Sequence, residues 1–166
     1  RNHRIIMTKY IGEITIVKTN TETGEVSEYT QNNTQLMGMF KNFSEVSSAP
    51  NFSTSSASSM IYISDNNFPL NRAMQDFNTI IKTFNIGGAS ISGEYWPQYS
   101  RDDVQKVATF TFKQRFSPGT STRTINTIAL YAPAYGQSVA GLRLQTPCIQ
   151  TSLDILDIYY KIYVYY

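Results

Sequence analysis

The sequence predicts a mainly β domain, an antiparallel β-sandwich or jelly-roll-like fold with one short helix. Three observations carry that expectation. Only 16% of the 166 residues are charged, against roughly 25% in ordinary soluble domains. The polar share comes instead from 18 Thr, 17 Ser and 12 Asn, accompanied by 12 Tyr, and the β-branched and aromatic members of this set favour strands. Second, several stretches alternate with the period of two that a strand requires. Third, these stretches are separated by clusters of Gly, Pro, Asn, Asp and Ser, which make turns.

Along the chain, residues 8–18 alternate, with Tyr10, Gly12, Ile14 and Ile16 on one face and Ile11, Glu13, Thr15 and Val17 on the other. The turn cluster Thr19 to Glu25 follows, with Gly24 free to take positive φ. Val26 to Gln31 returns, so residues 8–31 read as a hairpin. Asn32 and Asn33 end it. Leu36, Met39, Phe40 and Phe43 then fall on one helical face, with Asn33 or Thr34 as N-cap, and the stripe reads as core packing. Residues 44–59 form a Ser-rich loop containing Pro50. Met60 to Ser64 is a short apolar strand. Phe77 to Phe84 fits either a strand or a continued helix, and residues 95–102 form an aromatic loop. The whole segment 44–103 is loop-rich.

The last third alternates most clearly. Val104 to Phe116 places Ala108, Phe110 and Phe112 on one face. Arg123 to Ala132 sets Ile128 and Leu130 against Thr127, Ala129 and Tyr131. Leu142 to Gln150 contains Pro147, which places that strand at an edge or at a bulge. In Leu153 to Tyr166, Leu156, Ile158, Tyr160, Ile162 and Val164 share one face, and Asp157, Tyr159, Lys161, Tyr163 and Tyr165 the other. About seven strands in a single domain spanning 1–166 are expected.

The same residues exclude several functions. A net charge of +2 is too small and too evenly spread for nucleic-acid binding. No stretch approaches the ~20 apolar residues of a membrane span, and the first residues lack the apolar run and cleavage site of a secretory signal. His3 is the only histidine and Cys148 the only cysteine, so neither a His-based triad nor a zinc cage is expected. Asp102 and Asp103 read as turn or cap residues. Asp154 and Asp157, three apart on a strand, point to opposite faces, so no carboxylate pair is brought together for glycoside hydrolysis. Asn85 to Ser90 lacks the Lys and the glycine spacing of a phosphate loop. No cofactor is expected, and the chain reads as a non-enzyme.

Two features point to surfaces. One is the tyrosine face of the terminal strand, Tyr159, Lys161, Tyr163 and Tyr165, with Tyr166 beyond it. It is either the face of an internal strand or a poorly protected edge that pairs with another chain. The other is Tyr95-Trp96-Pro97-Gln98-Tyr99. Here Tyr95, Trp96 and Tyr99 either stack on sugars or anchor a partner, or Trp96 plugs one end of the core.

Gly12 to Val17, Asn20 to Val26 and Asn32-Asn33, taken with Ile125 to Leu130, Leu142 to Thr151 and Leu153 to Ile162, resemble the ends of tail- and fibre-type structural proteins of tailed bacteriophages. The resemblance covers roughly the first and last quarters of the chain and implies a virion protein: an attachment domain docking a fibre or tail appendage to the particle. It implies other virion proteins as partners and a homo-oligomer, a trimer by preference. The lack of Met at position 1 and the end at Tyr166 suit an ordered anchor domain of a longer fibre chain. A carbohydrate- or host-receptor-binding module is the alternative, and a glycan-cleaving enzyme ranks below both.

Overall fold

The computed structural model describes residues 9–35, 60–65, 86–87, 89–90, 98–132 and 137–166. They form ten strands in chain order: β1 (Lys9–Asn20), β2 (Val26–Gln35), β3 (Met60–Ser64), β4 (Ile86–Gly87), β5 (Ala89–Ser90), β6 (Gln98–Asp102), β7 (Val107–Phe116), β8 (Arg123–Ala132), β9 (Gln137–Gln150) and β10 (Asp154–Tyr165). Every pairing is antiparallel, and the domain is mainly β, as the alternation predicts.

The strands form two leaves. One runs β2-β1-β10-β7, with β5 and β6 side by side along the far edge of β7. The other runs β9-β8-β3-β4. The end of β2 joins them through Thr34↔Gly141 and Gln35↔Ala140. The inward residues of both leaves make one sandwich-like core. Ile14, Ile16, Phe110, Phe112, Phe116, Leu156, Ile158, Tyr160 and Ile162 come from the first leaf, and Ile61, Ile63, Ile125, Ile128, Leu130, Leu142 and Leu144 from the second. Across the core, Ile61 N on β3 donates to Gln114 Oε1 on β7, joining the two leaves.

The turns are made by the expected chemistry. Asn20 Oδ1 accepts from Glu22 N (2.9 Å) and Thr23 N (3.0 Å), and Gly24 takes φ 74°, which costs a glycine little. This turn is tied to the β9–β10 connection, where Leu153 O accepts from both Thr21 N and Thr21 Oγ1 at 2.8 Å. Pro147 lies at a bulge, one of the two places its missing donor allows. Ile125 pairs with Cys148 but Thr127 pairs with Arg143, so Leu144 to Pro147 have no ladder partner on β8.

Two sequence expectations need correction, and an alternative left open is decided. The hairpin does not end at Asn32-Asn33. Asn33 pairs with Gly12, and Thr34 and Gln35 pair with β9, so partners on both sides override weak local strand preference and neither residue caps a helix. No helix occurs among the described residues, and the stripe Leu36 to Phe43 lies outside them. Residues 98–102, read as part of a loop, form strand β6, which is exposed throughout and so lacks the alternation that marks a half-buried strand. The terminal strand β10 is internal, pairing with β1 from Lys9↔Tyr165 to Asn20↔Asp154 and with β7 from Val107↔Tyr165 to Phe116↔Leu156. Of the two readings of its tyrosine face, the unprotected edge falls.

Candidate functional site

The pleat sends residues 155, 157, 159, 161, 163 and 165 of β10 outward, because Leu156, Ile158, Tyr160 and Ile162 are buried. Tyr159, Lys161 and Tyr163 are half-buried on the outer face of the first leaf, and Tyr165 is 39% exposed at its end. Register places Thr15 and Lys113 beside Tyr159, Glu13 and Thr111 beside Lys161, and Ile11 and Thr109 beside Tyr163. The face is therefore a sheet of Tyr, Thr and paired charges whose backbone is fully used by the ladder.

Its polar groups are fixed to one another. Arg115 grips Asp157 with two parallel bonds, Nε to Oδ1 at 2.7 Å and Nη2 to Oδ2 at 3.0 Å. The bond to Asp157 and its charge raise the Arg115 pKa. Thr15 and Thr30 hydroxyls meet at 3.1 Å. Tyr163 Oη donates to Glu13 Oε1 at 3.4 Å; partial burial, with the Glu13 charge, holds this phenol above its ordinary range.

Tyr166 leaves the face and hooks onto the β6–β7 hairpin. Its amide donates to Lys106 O (2.9 Å) and its hydroxyl to Asp103 Oδ1 (2.6 Å), with Lys106 Nζ 5.8 Å from the ring centroid. Asp103 also pairs with Arg101 Nε at 2.9 Å. The hydrogen bond from Tyr166, with the Arg101 charge, holds the Asp103 carboxyl below the usual range, and the same bond raises the Tyr166 phenol. Asp102 makes the turn itself, accepting from Val104 N and Gln105 N at 3.0 Å, as expected of it. Lys106 closes the hairpin at φ 56°.

Tyr99 stands on β6 opposite Phe110, on the core side of the sheet rather than the Tyr159 side. Its ring meets Phe110 at 5.1 Å between centroids and 49° between planes, yet it remains 56% exposed. It lies close enough to Arg101 and Tyr166 to influence the charge of both. The fold thus brings one member of each candidate group, Tyr166 and Tyr99, into the surroundings of Arg101, while Tyr159, Lys161 and Tyr163 lie on a separate face. Tyr95 and Trp96 lie outside the described residues.

Comparison with protein-family models, curated proteins and solved structures returns no match. The functional reading therefore rests on the geometry. Among the described residues no three His, Cys, Asp or Glu side chains converge as a metal site, and no helix is long and apolar enough to cross a membrane. Asp154 and Asp157 point to opposite faces, as expected. Asp154 is buried and accepts from Thr151 N and Thr151 Oγ1 at 2.9 Å, whereas Asp157 holds Arg115 outside.

A groove of about 180 Å³ follows the seam where β2 and β9 diverge, lined by Lys18, Tyr29, Pro147, Cys148 and Ile149 among others. Two side chains bridge this seam. Gln31 Nε2 donates to Arg143 O and Gln31 Oε1 accepts from Gln145 N, both at 2.9 Å, and Lys18 Nζ donates to Ile149 O at 3.2 Å. Burial pushes the Cys148 thiol up despite Lys18, and the thiolate is the reactive form. Iodoacetamide at pH 8 is expected to alkylate Cys148 at least about tenfold more slowly in the folded chain than in urea; equal rates would contradict the burial. The unfolded thiol ionises first, so this group's contribution to stability is full below about pH 8.5 and declines above it.

Proposed function

We propose that the chain is a non-enzymatic structural domain of a tailed-bacteriophage virion, docking a fibre or tail appendage through neighbouring copies of itself. The observation that carries this reading is the outer face of the first leaf. Tyr159, Lys161 and Tyr163 are presented there by an internal strand paired along both sides. Such a face is rigid before association, so little ordering entropy opposes binding. Tyrosine is enriched at interface cores, and unpaired charge is depleted there.

The occupant is a further copy of the chain. Glu13, Glu28 and Asp157 share the face with Lys113, Arg115 and Lys161. That balance of signs suits contact with a surface of the same composition. A closed trimer agrees with the resemblance to fibre-type proteins and with the rule that homo-oligomers close. Light scattering at high micromolar concentration is expected to give three times the 18.8 kDa chain mass, and Tyr159→Ser with Tyr163→Ser to shift the population toward monomer. A monomer that associates with no virion protein overturns the reading.

A second reading, a carbohydrate- or host-receptor-binding module, is favoured by Tyr99. Its exposed ring beside Arg101 offers an aromatic face next to hydrogen-bond donors. A glycan array probed with the native chain and with Tyr99→Ala separates the two readings: sugar binding lost in the variant supports the module.

A further inference from the structure

Ser117 to Thr122 carry the chain from the end of β7 to Arg123, the first residue of β8. This turn curls around the Arg123 guanidinium. Nη2 donates to Ser117 O at 3.0 Å. A Cβ built on Gly119 would stand 3.8 Å from Arg123 Cζ, 3.8 Å from Nη1 and 3.8 Å from Ser121 O, so Gly119, Ser121 and the guanidinium converge on one point. Gly119 to Thr124 line a cleft of about 570 Å³, a volume in the range of small-molecule sites.

The guanidinium is tethered from behind. Nε and Nη2 both donate to Gln150 Oε1, at 2.9 and 2.6 Å, and Gln150 is fully buried. Arg123 itself is partly exposed. Nη1, on the Gly119 side, makes no hydrogen bond among the described residues and is the nitrogen left to face the cleft. The acceptors that hold Arg123 are all neutral. Burial alone lowers its pKa, with no carboxylate near enough to oppose that shift. Asp65, which also lines the cleft, therefore does not compensate the charge, and its Oδ1 is closed to solvent. A partly buried cation without an anion is costly, which favours an anion arriving from outside. The turn holds further donors. The amides of Gly119, Thr120, Ser121 and Thr122 make no hydrogen bond among the described residues, and neither do the exposed hydroxyls of Thr120, Ser121 and Thr122.

The donor set selects the ligand class. With Nε and Nη2 committed, Arg123 cannot present the two-nitrogen fork that makes its pairing with a planar carboxylate strong. It offers the two protons of Nη1 instead, beside unpaired amides and hydroxyls spread along a turn. A tetrahedral oxyanion suits such a set, because its oxygens accept in several directions and successive amides of a turn form anion-binding concavities. We propose that Arg123 and the turn from Gly119 to Thr122 bind a phosphate or sulfate group. The site is separate from the tyrosine face and does not depend on the assembly reading.

The test is titration of the 15N-labelled full chain, at constant ionic strength, with inorganic phosphate, sodium sulfate, methyl phosphate and sodium acetate. Phosphate or sulfate is expected to give saturable shifts in the amides of Gly119 to Thr122 and in Arg123 Nε, and acetate to bind more weakly. Tighter binding of methyl phosphate than of inorganic phosphate would assign the site to a phosphate ester, and equal or weaker binding to the free ion. Gly119→Glu brings a tethered carboxylate to the guanidinium from a position whose Cβ has only ordinary contacts. It is expected to weaken phosphate binding by about tenfold or more through competition for Nη1, whereas Gly119→Ala, which adds the Cβ alone, retains it. Amides outside the turn should keep their positions in both variants, and neither should change the mass by light scattering, which keeps this site distinct from the assembly face. Absence of saturable shifts with both phosphate and sulfate, acetate binding as tightly as phosphate, or full affinity in Gly119→Glu would each overturn the proposal.

Discussion

Replacing Gln150 with leucine is expected to cost about 4 kcal/mol, a large part of the roughly 5–15 kcal/mol that holds a domain of this size together. Gln150 is 0% exposed at the end of β9. Its Nε2 donates to Phe116 O (3.0 Å), Ser117 O (3.3 Å) and Asp154 O (2.9 Å), so two protons serve three carbonyls. Its Oε1 takes both Arg123 bonds. One amide therefore joins the end of β7, the start of β8, the end of β9 and the start of β10. Leucine matches the volume but leaves those carbonyls and a half-buried guanidinium short of partners, and the penalty for unmade buried bonds exceeds the modest net gain of making them. Urea denaturation checks it: the midpoint should fall sharply with the slope unchanged. A loss under about 1 kcal/mol would mean that water replaces the amide and that the knot contributes little.

Nothing in the sequence marks Gln150. It ends a bulged strand and acquires its role only because the two leaves bring four strand ends together. The strands themselves were legible where one face is buried. β1, β7, β8 and β10 show the alternation, and in β7 and β10 the apolar sets it groups together are the inward ones, whereas in β8 Thr127 and Ala129 are buried as fully as Ile128 and Leu130. β6 was not legible, because an edge strand exposed along its whole length leaves no periodic trace. The continuation of β2 through Gln35 was hidden by polar residues whose strand state depends on Gly12, Ala140 and Gly141, far away in sequence.

The candidate site was legible in the same partial way. Alternation alone places Tyr159, Lys161 and Tyr163 on one face. It cannot tell an edge strand from an internal one, since that depends on β1, which precedes β10 by well over a hundred residues. The approach of Tyr99 and Tyr166 to Arg101 is equally non-local.

The second large effect is expected at Tyr160. It is 0% exposed in the middle of the first leaf, flanked in register by Ile14 on β1 and Phe112 on β7. Tyr160→Ala removes a ring from a close-packed core and should cost about 3–5 kcal/mol, as other aromatic truncations of this kind do. Its neighbour Tyr159 points outward from the same strand, so Tyr159→Ala should change stability by less than about 1 kcal/mol. The two substitutions remove the same atoms one residue apart, and only the pleat separates their consequences. The proposed oligomer would supply the opposite contrast. Tyr159→Ala should weaken self-association while the chain stays folded, whereas Tyr160→Ala should lower the melting temperature whatever the concentration. A large stability loss at Tyr159 would mean that the outer face is packed within the chain itself, and a tyrosine already covered there is not free to bind a neighbour.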